Sequence, residues 1–293
     1  MKVSGFTFIR NAIKYDYPIV EAIRSILPIC DDFIVAVGKS DDQTLDLIRQ
    51  IDPSKITILE TVWDDSLREG GRVLAVETNK AFDAVPSDSD WAFYIQGDEV
   101  VHEQYLETIR SAMQLHLNNP TIEGLLFKYL HFYGSYDYVG SSYRWYRNEI
   151  RVIRNDKRIR SFRDAQGFRK ENRKLIVAPV DAYVYHYGWV KEPSAMQQKQ
   201  ETFHKLWHDD RWVEKNVYKT PEYDYKKNID QLERFHGTHP AVMRERIDRI
   251  NWTFEYDISF NKKTFKQQVK EFFERVFGIE IGYKNYKIYR KWF

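Results

Sequence analysis

The first half of the chain alternates short apolar runs with segments of helical periodicity. Phe33 to Val37 is apolar throughout, as in a strand that is covered on both faces of a parallel sheet. Between the runs, apolar residues recur at helical spacing, and the alternation predicts a parallel α/β layer with right-handed crossovers. The predicted strands are Gly5 to Ile9, Phe33 to Val37, Lys55 to Glu60 and Trp91 to Ile95, and the predicted helices are residues 18–27, 44–51, 67–85 and 104–117.

The pattern changes after the fourth predicted helix. Three long segments with alternating aromatic residues are typical of strands, and no strong helix separates them, so the second half is predicted to be more antiparallel. A soft boundary near residue 220 then divides a domain of residues 1–220 from a helical C-terminal extension of residues 221–293. The strand-like segments are Ile122–Tyr133, Tyr143–Asn155 and Leu175–His186, and later helices are predicted over Ser194–Asn216, Thr238–Ile250 and Thr264–Phe277.

Composition indicates a soluble globular protein. The 293 residues carry a net charge of +2, which is too small to suggest wholesale nucleic-acid binding, so no nucleic-acid partner is expected. Cys30 is the one cysteine, which excludes an intramolecular disulfide and a cysteine-built metal site and fits a reducing compartment. The N-terminus lacks the apolar core of a signal peptide, and no run approaches the ~18 apolar residues needed to span a bilayer. We therefore expect a cytoplasmic protein, and peripheral contact with the inner face of the membrane is a further possibility that the sequence allows.

Two segments concentrate positive charge. Residues 144–174 hold twelve Lys or Arg against four acids, which favours an anionic or phosphate-bearing acceptor. Residues 261–293 hold nine bases against three acids, mixed with aromatic residues. This second segment could contact anionic lipid or a phosphorylated acceptor, and it could equally be a solvated amphipathic helix.

Polar residues follow three of the four predicted parallel strands at the point where each strand ends. Because these ends meet at one edge of a sheet, the residues are expected to line one crevice. An acid in the second loop can accept hydrogen bonds from a base or ribose, and carboxylates in the last loop suit a divalent cation held against phosphate oxygens. A polar loop that only caps a strand is the alternative. The three groups are Arg10-Asn11, Ser40-Asp41-Asp42 and Gln96-Gly97-Asp98-Glu99.

The sequence stretches FIRNA, DDFIVAVGKSDDQT and REGGRVLAVETNKAF, the last leading to WAFYIQGDEV, resemble family 2 glycosyltransferases of GT-A fold. The resemblance is strongest to the bacterial branch that builds lipopolysaccharide or capsule glycans, and it covers residues 1–190. It implies a Rossmann-like nucleotide-sugar-binding sheet mixed with antiparallel acceptor-side strands. It also implies inverting, metal-assisted transfer of a sugar from a nucleotide diphosphate sugar to a glycan or glycolipid acceptor, with Mn²⁺ or Mg²⁺ at a D-x-D type motif.

The resemblance assigns roles by position. Asp42 resembles the aspartate that contacts the nucleotide base, and Asp98 resembles the metal-binding last acid of D-x-D. Gln96 departs from the family pattern, which has aspartate there; an amide can bond a ribose hydroxyl but adds no charge for a cation, so weaker metal dependence or a different donor follows. The residues expected at the donor are Asn11, Asp41, Asp42, Arg68, Arg72, Gln96 and Gly97.

His186 lies in the stretch VYHYGWV, which resembles the HYG element that closes the active site in relatives. The imidazole of this element can complete the coordination shell of the metal ion. A satisfied core histidine is its alternative role, and it is the only role expected of His102, His131, His204, His208, His236 and His239.

Asp164 is the best-placed general base, and Glu149 is the reserve candidate. Because Arg160, Arg163 and Arg169 surround Asp164 in the sequence, its pKa is expected to be lowered, which would weaken it as a base unless burial counteracts the shift. A structural salt bridge is the alternative role.

Other nucleotide-binding classes lack their motifs. No glycine-rich loop with Lys or Arg follows the first strand, no G-x-G-x-x-G is present there, and no P-loop occurs. A degenerate relative that binds nucleotide sugar or glycan without turnover remains the alternative, because of Gln96.

Overall fold

The computed structural model describes residues 1–67, 69–217, 220–229, 231–261, 263–277 and 284–290. Its strands are β1 (Val3–Ile9), β2 (Asp32–Gly38), β3 (Ile56–Thr61), β4 (Trp91–Tyr94), β5 (Glu99–Val101), β6 (Gly124–Tyr133), β7 (Tyr138–Gly140), β8 (Asn148–Arg154), β9 (Ile159–Phe162), β10 (Gly167–Lys170), β11 (Arg173–Lys174), β12 (Ile176–Trp189), β13 (Leu232–Arg234) and β14 (Lys287–Ile288). Its α-helices are α1 (Ile19–Ile26), α2 (Thr44–Arg49), α3 (Arg72–Asp83), α4 (Leu106–His116), α5 (Pro193–Phe203), α6 (Asp210–Asn216), α7 (Arg244–Asp248) and α8 (Phe265–Phe277).

The predicted mixed α/β fold is confirmed. β1 pairs in parallel with β2 and with β4, and β2 pairs in parallel with β3, so the order of the parallel part is β3-β2-β1-β4. β8 then pairs antiparallel with both β4 and β6, which joins the two halves of the chain in one sheet. β12 runs parallel to β6 and antiparallel to β5, and this last pairing places the end of β12 beside the turn that follows β4.

Local sequence explains where the helices begin. α1 follows Pro18 and buries Ile19, Ile23 and Ile26 against the sheet, the apolar stripe that its sequence predicts. α8 has its predicted capping box: the backbone N–H of Gln267 donates to Thr264 Oγ1 at 3.3 Å, and Gln267 Oε1 accepts from the backbone of Thr264 at 2.7 Å.

Three predicted helices are shorter than expected, and each has a local cause. α3 begins at Arg72 instead of near residue 67 because Gly70 and Gly71 adopt positive φ angles of 60° and 69°, which are not helical. The helix predicted over residues 194–216 is divided into α5 and α6, since Asp209 starts a new helix by accepting a hydrogen bond from the backbone of Trp212 at 2.8 Å. Thr238 bonds His102 Nε2 at 2.9 Å instead of capping, and α7 begins only at Arg244.

The region predicted as a helical extension, residues 221–293, also contributes strands. β13 pairs antiparallel with β7, and β14 pairs in parallel with the start of β12, so both add to the main sheet. Gly278, the predicted stop of the last helix, lies outside the described residues.

Across the described ranges, no helix combines the length and apolar character needed to cross a membrane.

A buried ion pair connects the parallel half of the sheet to the antiparallel half. Arg151 on β8 donates from Nε to Glu99 Oε2 at 2.8 Å and from Nη2 to Glu99 Oε1 at 2.7 Å. The Tyr129 hydroxyl on β6 donates to the same carboxylate at 2.9 Å. Both charged side chains are at most 1% exposed, so each depends on the other for its hydrogen bonds.

Substitution of Arg151 by Met is therefore expected to lower the free energy of unfolding by about 3–5 kcal/mol, because it leaves the Glu99 carboxylate buried without its partner. Urea unfolding measures the change. Arg49→Met, which removes an exposed ion pair with Asp46, is the matched control and should leave stability nearly unchanged. Equal effects of the two substitutions would contradict the assignment.

Candidate active site

The turn between β4 and β5 directs two adjacent carboxylates to opposite sides. Glu99 is fully buried, and its Oε2 accepts a hydrogen bond from the backbone N–H of Gln96 at 3.1 Å in addition to those from Arg151. Because that carboxylate is satisfied inside the core, Glu99 is not available to a ligand. Asp98 points the other way and lies beside the end of β12.

Asp98 and His186, the two predicted metal ligands, come together in the structure. His186 pairs with Glu99 in the β12–β5 ladder, and the backbone N–H of Tyr187 donates to the Asp98 carbonyl at 2.8 Å. This pairing places Asp98 Oδ2 3.8 Å from His186 Nε2.

A second histidine orients His186. His131 Nε2 lies 2.8 Å from the Tyr146 carbonyl, which can only accept, so this nitrogen carries the proton and His131 Nδ1 is the acceptor. His131 Nδ1 is 3.2 Å from His186 Nδ1, which must therefore donate. Burial lowers the pKa of both rings, which favours their neutral forms. The free lone pair of His186 is consequently on Nε2, facing Asp98. His131 is the satisfied core histidine that the sequence predicts, and it also fixes the orientation of its neighbour.

The glycine of the HYG element is in close contact with this pair. A Cβ atom on Gly188 would lie 2.6 Å from Asp98 Oδ2 and 2.8 Å from His186 Nε2. The two acceptor atoms therefore lie against the backbone of Gly188, where a larger residue does not fit. This contact gives a physical reason for glycine two residues after the histidine.

Two buried lysines lie at the same place, and sequence reasoning missed both. Lys199 Nζ on α5 is 3.4 Å from Asp98 Oδ2 and donates to the Gly188 carbonyl at 2.9 Å. Lys191 donates to the backbone carbonyl of Asp16, and both ammonium groups lie over the ring of Tyr17, at 4.6 Å for Lys191 and 5.0 Å for Lys199. Burial and then the nearby charge of Lys199 lower the pKa of Lys191 to about 7. Their position just after the HYG element is the only sequence signal for them.

Asp164 lies in a strained turn that contacts the Asp98 loop. Its neighbours Arg163 and Ala165 have φ angles of 58° and 64°, which are unfavourable for residues with side chains. Gln96 Nε2 donates to the Ala165 carbonyl at 3.0 Å, and a Cβ on Gly71 would lie 2.8 Å from the Cβ of Asp164. Asp164 is therefore held between the turn after β4 and the start of α3.

Burial counteracts the lowering of the Asp164 pKa that the nearby arginines predict. It raises the pKa of this carboxyl, and the backbone hydrogen bonds from Asp164 and Gln166 and the charge of Arg163 offset only part of the shift. Arg160 is paired with Asp83 at 2.5 Å, and Arg169 donates to the Asn285 carbonyl at 2.7 Å, so neither neutralises Asp164. A carboxyl with a raised pKa is better suited to accept a proton than the sequence suggested.

Asn11, Asp41 and Asp42 meet at the carboxyl ends of β1 and β2. Asn11 Oδ1 accepts from the backbone N–H of Asp41 at 2.8 Å, and Asp41 itself is exposed. Asp42 accepts backbone hydrogen bonds from Lys14 at 2.8 Å and Thr44 at 3.0 Å. Burial alone would raise the pKa of Asp42, but these hydrogen bonds hold it below its usual value. The carboxylate of Asp42 is thus engaged in holding the two loops together.

The other predicted donor residues differ in their surroundings. Gly97 is buried against Ile9, where a Cβ would approach the Ile9 Cδ1 atom to 2.9 Å. Arg72 is exposed and is the first residue of α3. Arg68 lies outside the described residues.

Glu149, the reserve base, is buried on β8 with only part of its hydrogen-bonding capacity used. Its Oε1 accepts from Gln166 Nε2 at 3.0 Å, while Oε2 lies beside Gly167 and Asn285 without a hydrogen bond of good geometry. Burial raises its pKa to about 7, more than Arg151 lowers it. Its hydrogen bond with Gln166 places Glu149 next to the turn that carries Asp164.

The basic residues of 144–174 are largely engaged within the domain. Arg154 donates to the carbonyls of Ile122 and Asn119, and Arg173 forms a two-point contact with Glu123. These contacts occupy the basic side chains within the domain, and an anionic acceptor next to this segment stays a prediction. The basic side chains nearest to Asp98 are Lys199 and Lys191, and both have partners of their own.

Asp98 and His186 fit a divalent cation that brings ligands of its own. The described residues contain no group of three or more His, Cys, Asp or Glu side chains arranged to hold a metal ion. Asp98 and His186 supply two ligand atoms 3.8 Å apart, and a hard cation needs about six ligands, so phosphate oxygens and water would provide the rest.

No family model and no curated protein sequence matches this chain. Among solved structures, S. aureus TarS aligns with a TM-score of 0.40 and 16% identity over 69% of this chain, which spans 39% of the TarS chain. S. aureus TarS 1-349 in complex with UDP aligns with a TM-score of 0.38 and 15% identity, over 75% of this chain and 68% of that chain.

Glucosyl-3-phosphoglycerate synthase from Mycobacterium tuberculosis, in complex with Mn²⁺, UDP and glucosyl-3-phosphoglycerate, aligns with a TM-score of 0.29 and 18% identity over 45% of each chain. Similarity at this level carries no argument about function, which rests on the geometry of the site.

Replacement of Glu149 by Gln tests whether burial raises the pKa of this carboxyl. The folded-state pKa of about 7 lies above the ordinary 4.5, so the stability that the neutral carboxyl contributes is present below pH 4.5 and is lost as pH rises through 7. At about pH 8 the variant should exceed the wild type by up to about 3 kcal/mol in free energy of unfolding, with most of the gain gone at about pH 5. Urea unfolding at both pH values measures this, and a pH-independent difference would contradict it.

Proposed function

We propose that this protein is a family 2-like glycosyltransferase of GT-A fold. It transfers a sugar, with inversion, from a nucleotide diphosphate sugar to a glycan or glycolipid acceptor. The observation that carries the proposal is the convergence of Asp98, His186 and Lys199 beside Gly188, at the carboxyl edge of the parallel strands. Ligands of open α/β sheets bind at this edge.

The charge of the site supports an anionic ligand. Lys191 and Lys199 are both buried, and Asp98 is the carboxylate that Lys199 contacts. Burial lowers the pKa of Lys191 to about 7, and its amino group has a backbone carbonyl and an aromatic ring as partners. The diphosphate of the donor would stabilise the charged form of this lysine.

Asp98 and His186 would hold Mn²⁺ or Mg²⁺ together with the donor diphosphate. Such an ion neutralises the charge that develops on the leaving nucleotide diphosphate. Lys199 adds a second positive group from α5 at the same carboxylate. Asn11, Asp41, Asp42, Arg68, Arg72, Gln96 and Gly97 are proposed to surround the nucleotide and its ribose.

Asp164 is the proposed general base. The acceptor hydroxyl attacks the anomeric carbon as the bond to the diphosphate oxygen breaks, and its proton passes to the Asp164 carboxylate. The raised pKa of Asp164 suits this role, and Gln96 holds the turn through the Ala165 carbonyl. Gln96 thus acts as a positioning residue for the general base Asp164, and this role does not depend on a contact between Gln96 and the ribose.

A degenerate transferase that binds the donor without turnover is the second candidate. The observation that favours it is Gln96 itself, whose amide stands where the family has a carboxylate and donates to a backbone carbonyl. This candidate predicts the same donor site and differs only in turnover.

A panel of UDP-, GDP-, CMP- and dTDP-sugars is the test of the donor site. One nucleotide sugar is expected to raise the melting temperature, because a ligand that binds the folded state stabilises it by mass action. With Mn²⁺ present, slow hydrolysis of that sugar should fall at least about 100-fold in Asp98→Asn, since the variant loses charge stabilisation of several kcal/mol at the leaving group.

Asp88→Asn is the matched control, because Asp88 is exposed and forms only a surface ion pair with Lys2. Binding without hydrolysis or transfer would support the degenerate candidate. If none of the nucleotide sugars binds, the proposed function is wrong.

Cation binding should require the nucleotide. Because the chain supplies two ligand atoms beside two lysines, Mn²⁺ alone is expected to bind at least about tenfold more weakly than Mn²⁺ with the matching nucleoside diphosphate. Isothermal titration calorimetry measures both affinities. Tight binding of Mn²⁺ to the protein alone would contradict this expectation, and a nucleoside monophosphate is the control for the role of the second phosphate.

A further inference from the structure

Helix α8 carries a continuous apolar stripe. The stripe follows the helical spacing i, i+4, i+7, i+8, i+11 and i+12, which puts its residues on one face. Most of this face is exposed to solvent: the exposed fractions are 80% for Phe265, 49% for Phe272 and 57% for Phe277. The residues of the stripe are Phe265, Val269, Phe272, Phe273, Val276 and Phe277.

The opposite, polar face of α8 attaches the helix to the domain. Glu274 forms an ion pair with Arg147 and accepts a hydrogen bond from the Tyr143 hydroxyl at 2.7 Å. Lys270, one turn earlier, lies over the ring of Tyr143 at 5.2 Å. An amphipathic helix on a globular domain normally buries its apolar face, and here the arrangement is reversed.

The reversed arrangement indicates that the apolar face has a partner. Contiguous exposed apolar patches mark sites of protein or membrane interaction, because water contact with several aromatic side chains is unfavourable. Phenylalanine rings pack readily among acyl chains at the boundary of a bilayer.

Charge around the stripe identifies the partner. Both acids of the helix are engaged, Glu274 with Arg147 and Glu271 with Lys263 at 2.8 Å. Lys270 and Arg275 flank the stripe on its two sides. The rim is therefore positive, which is complementary to anionic lipid headgroups.

We propose that α8 is a membrane-docking helix. It lies in the plane of the bilayer surface, inserts the exposed phenylalanines among the acyl chains, and places its flanking bases at anionic headgroups. The binding is peripheral, and it depends on the apolar stripe and on the anionic lipid together. This inference is independent of the proposed glycosyl transfer, and it fits an acceptor carried on a lipid.

Vesicle flotation tests the proposal with the full-length protein. Wild-type protein should float with vesicles of phosphatidylcholine mixed with phosphatidylglycerol and should remain unbound with phosphatidylcholine alone. The double variant Phe272→Ser, Phe277→Ser should partition at least about tenfold less, since two large apolar side chains no longer leave water. Both side chains are exposed, so the variant is expected to fold, and its melting temperature checks this.

The matched control is Val62→Ser with Leu115→Ser, two residues that are more than 70% exposed elsewhere on the domain. This variant should bind vesicles as the wild type does. Arg275→Gln should weaken flotation, and high salt should do so in the wild type, because both reduce the attraction to anionic lipid.

Several outcomes would overturn the proposal. Equal flotation of the wild type and the phenylalanine variant, or equal binding to neutral and anionic vesicles, would each do so. A dimer of the wild type in light scattering that dissociates in the phenylalanine variant, without vesicle binding, would assign the stripe to a second copy of the chain.

Discussion

The carboxylate of Glu99 is the constraint on which the candidate site depends. A buried carboxylate is tolerated only when its oxygens are paired, and this one receives hydrogen bonds from Arg151 on β8, Tyr129 on β6 and the backbone of Gln96. These partners come from three separate segments, so they fix the turn between β4 and β5 in one conformation. Asp98, the next residue, is thereby directed away from the core and toward β12.

The rest of the site is built on β12 and the helix that follows it. His186 is oriented by His131, which leaves its Nε2 lone pair facing Asp98, and the absence of a side chain on Gly188 lets both groups approach its backbone. Lys199 then brings a positive charge to the same carboxylate from α5. The arrangement is rigid because its parts are held by strand pairing and by buried hydrogen bonds, and rigid placement is what a charge-stabilising site requires.

Local charge along the sequence was a poor guide to the surroundings of individual side chains in this protein. The bases of residues 144–174 suggested an anionic acceptor and a lowered pKa for Asp164. In the structure Arg154 and Arg169 donate to backbone carbonyls, Arg160 pairs with Asp83, and Asp164 responds mainly to burial. A count of charges cannot distinguish a lysine or arginine that donates to a carbonyl of its own domain from a lysine or arginine that faces a ligand. The buried lysines, Lys191 and Lys199, belong to no basic cluster in the sequence.

Periodicity alone determined the α/β layer, because the apolar runs and helical stripes of the first half can bury their faces in only a few ways. It also placed Asn11, Asp42 and Asp98 at one edge of the sheet, since the ends of parallel strands coincide. Tertiary structure decided which atoms meet. The proximity of His186 and Asp98 depends on the β12–β5 pairing between segments far apart in the chain, and the outward apolar face of α8 depends on the contacts of Glu274. Such long-range contacts are fixed by packing across the whole domain, and no local pattern of residues encodes them.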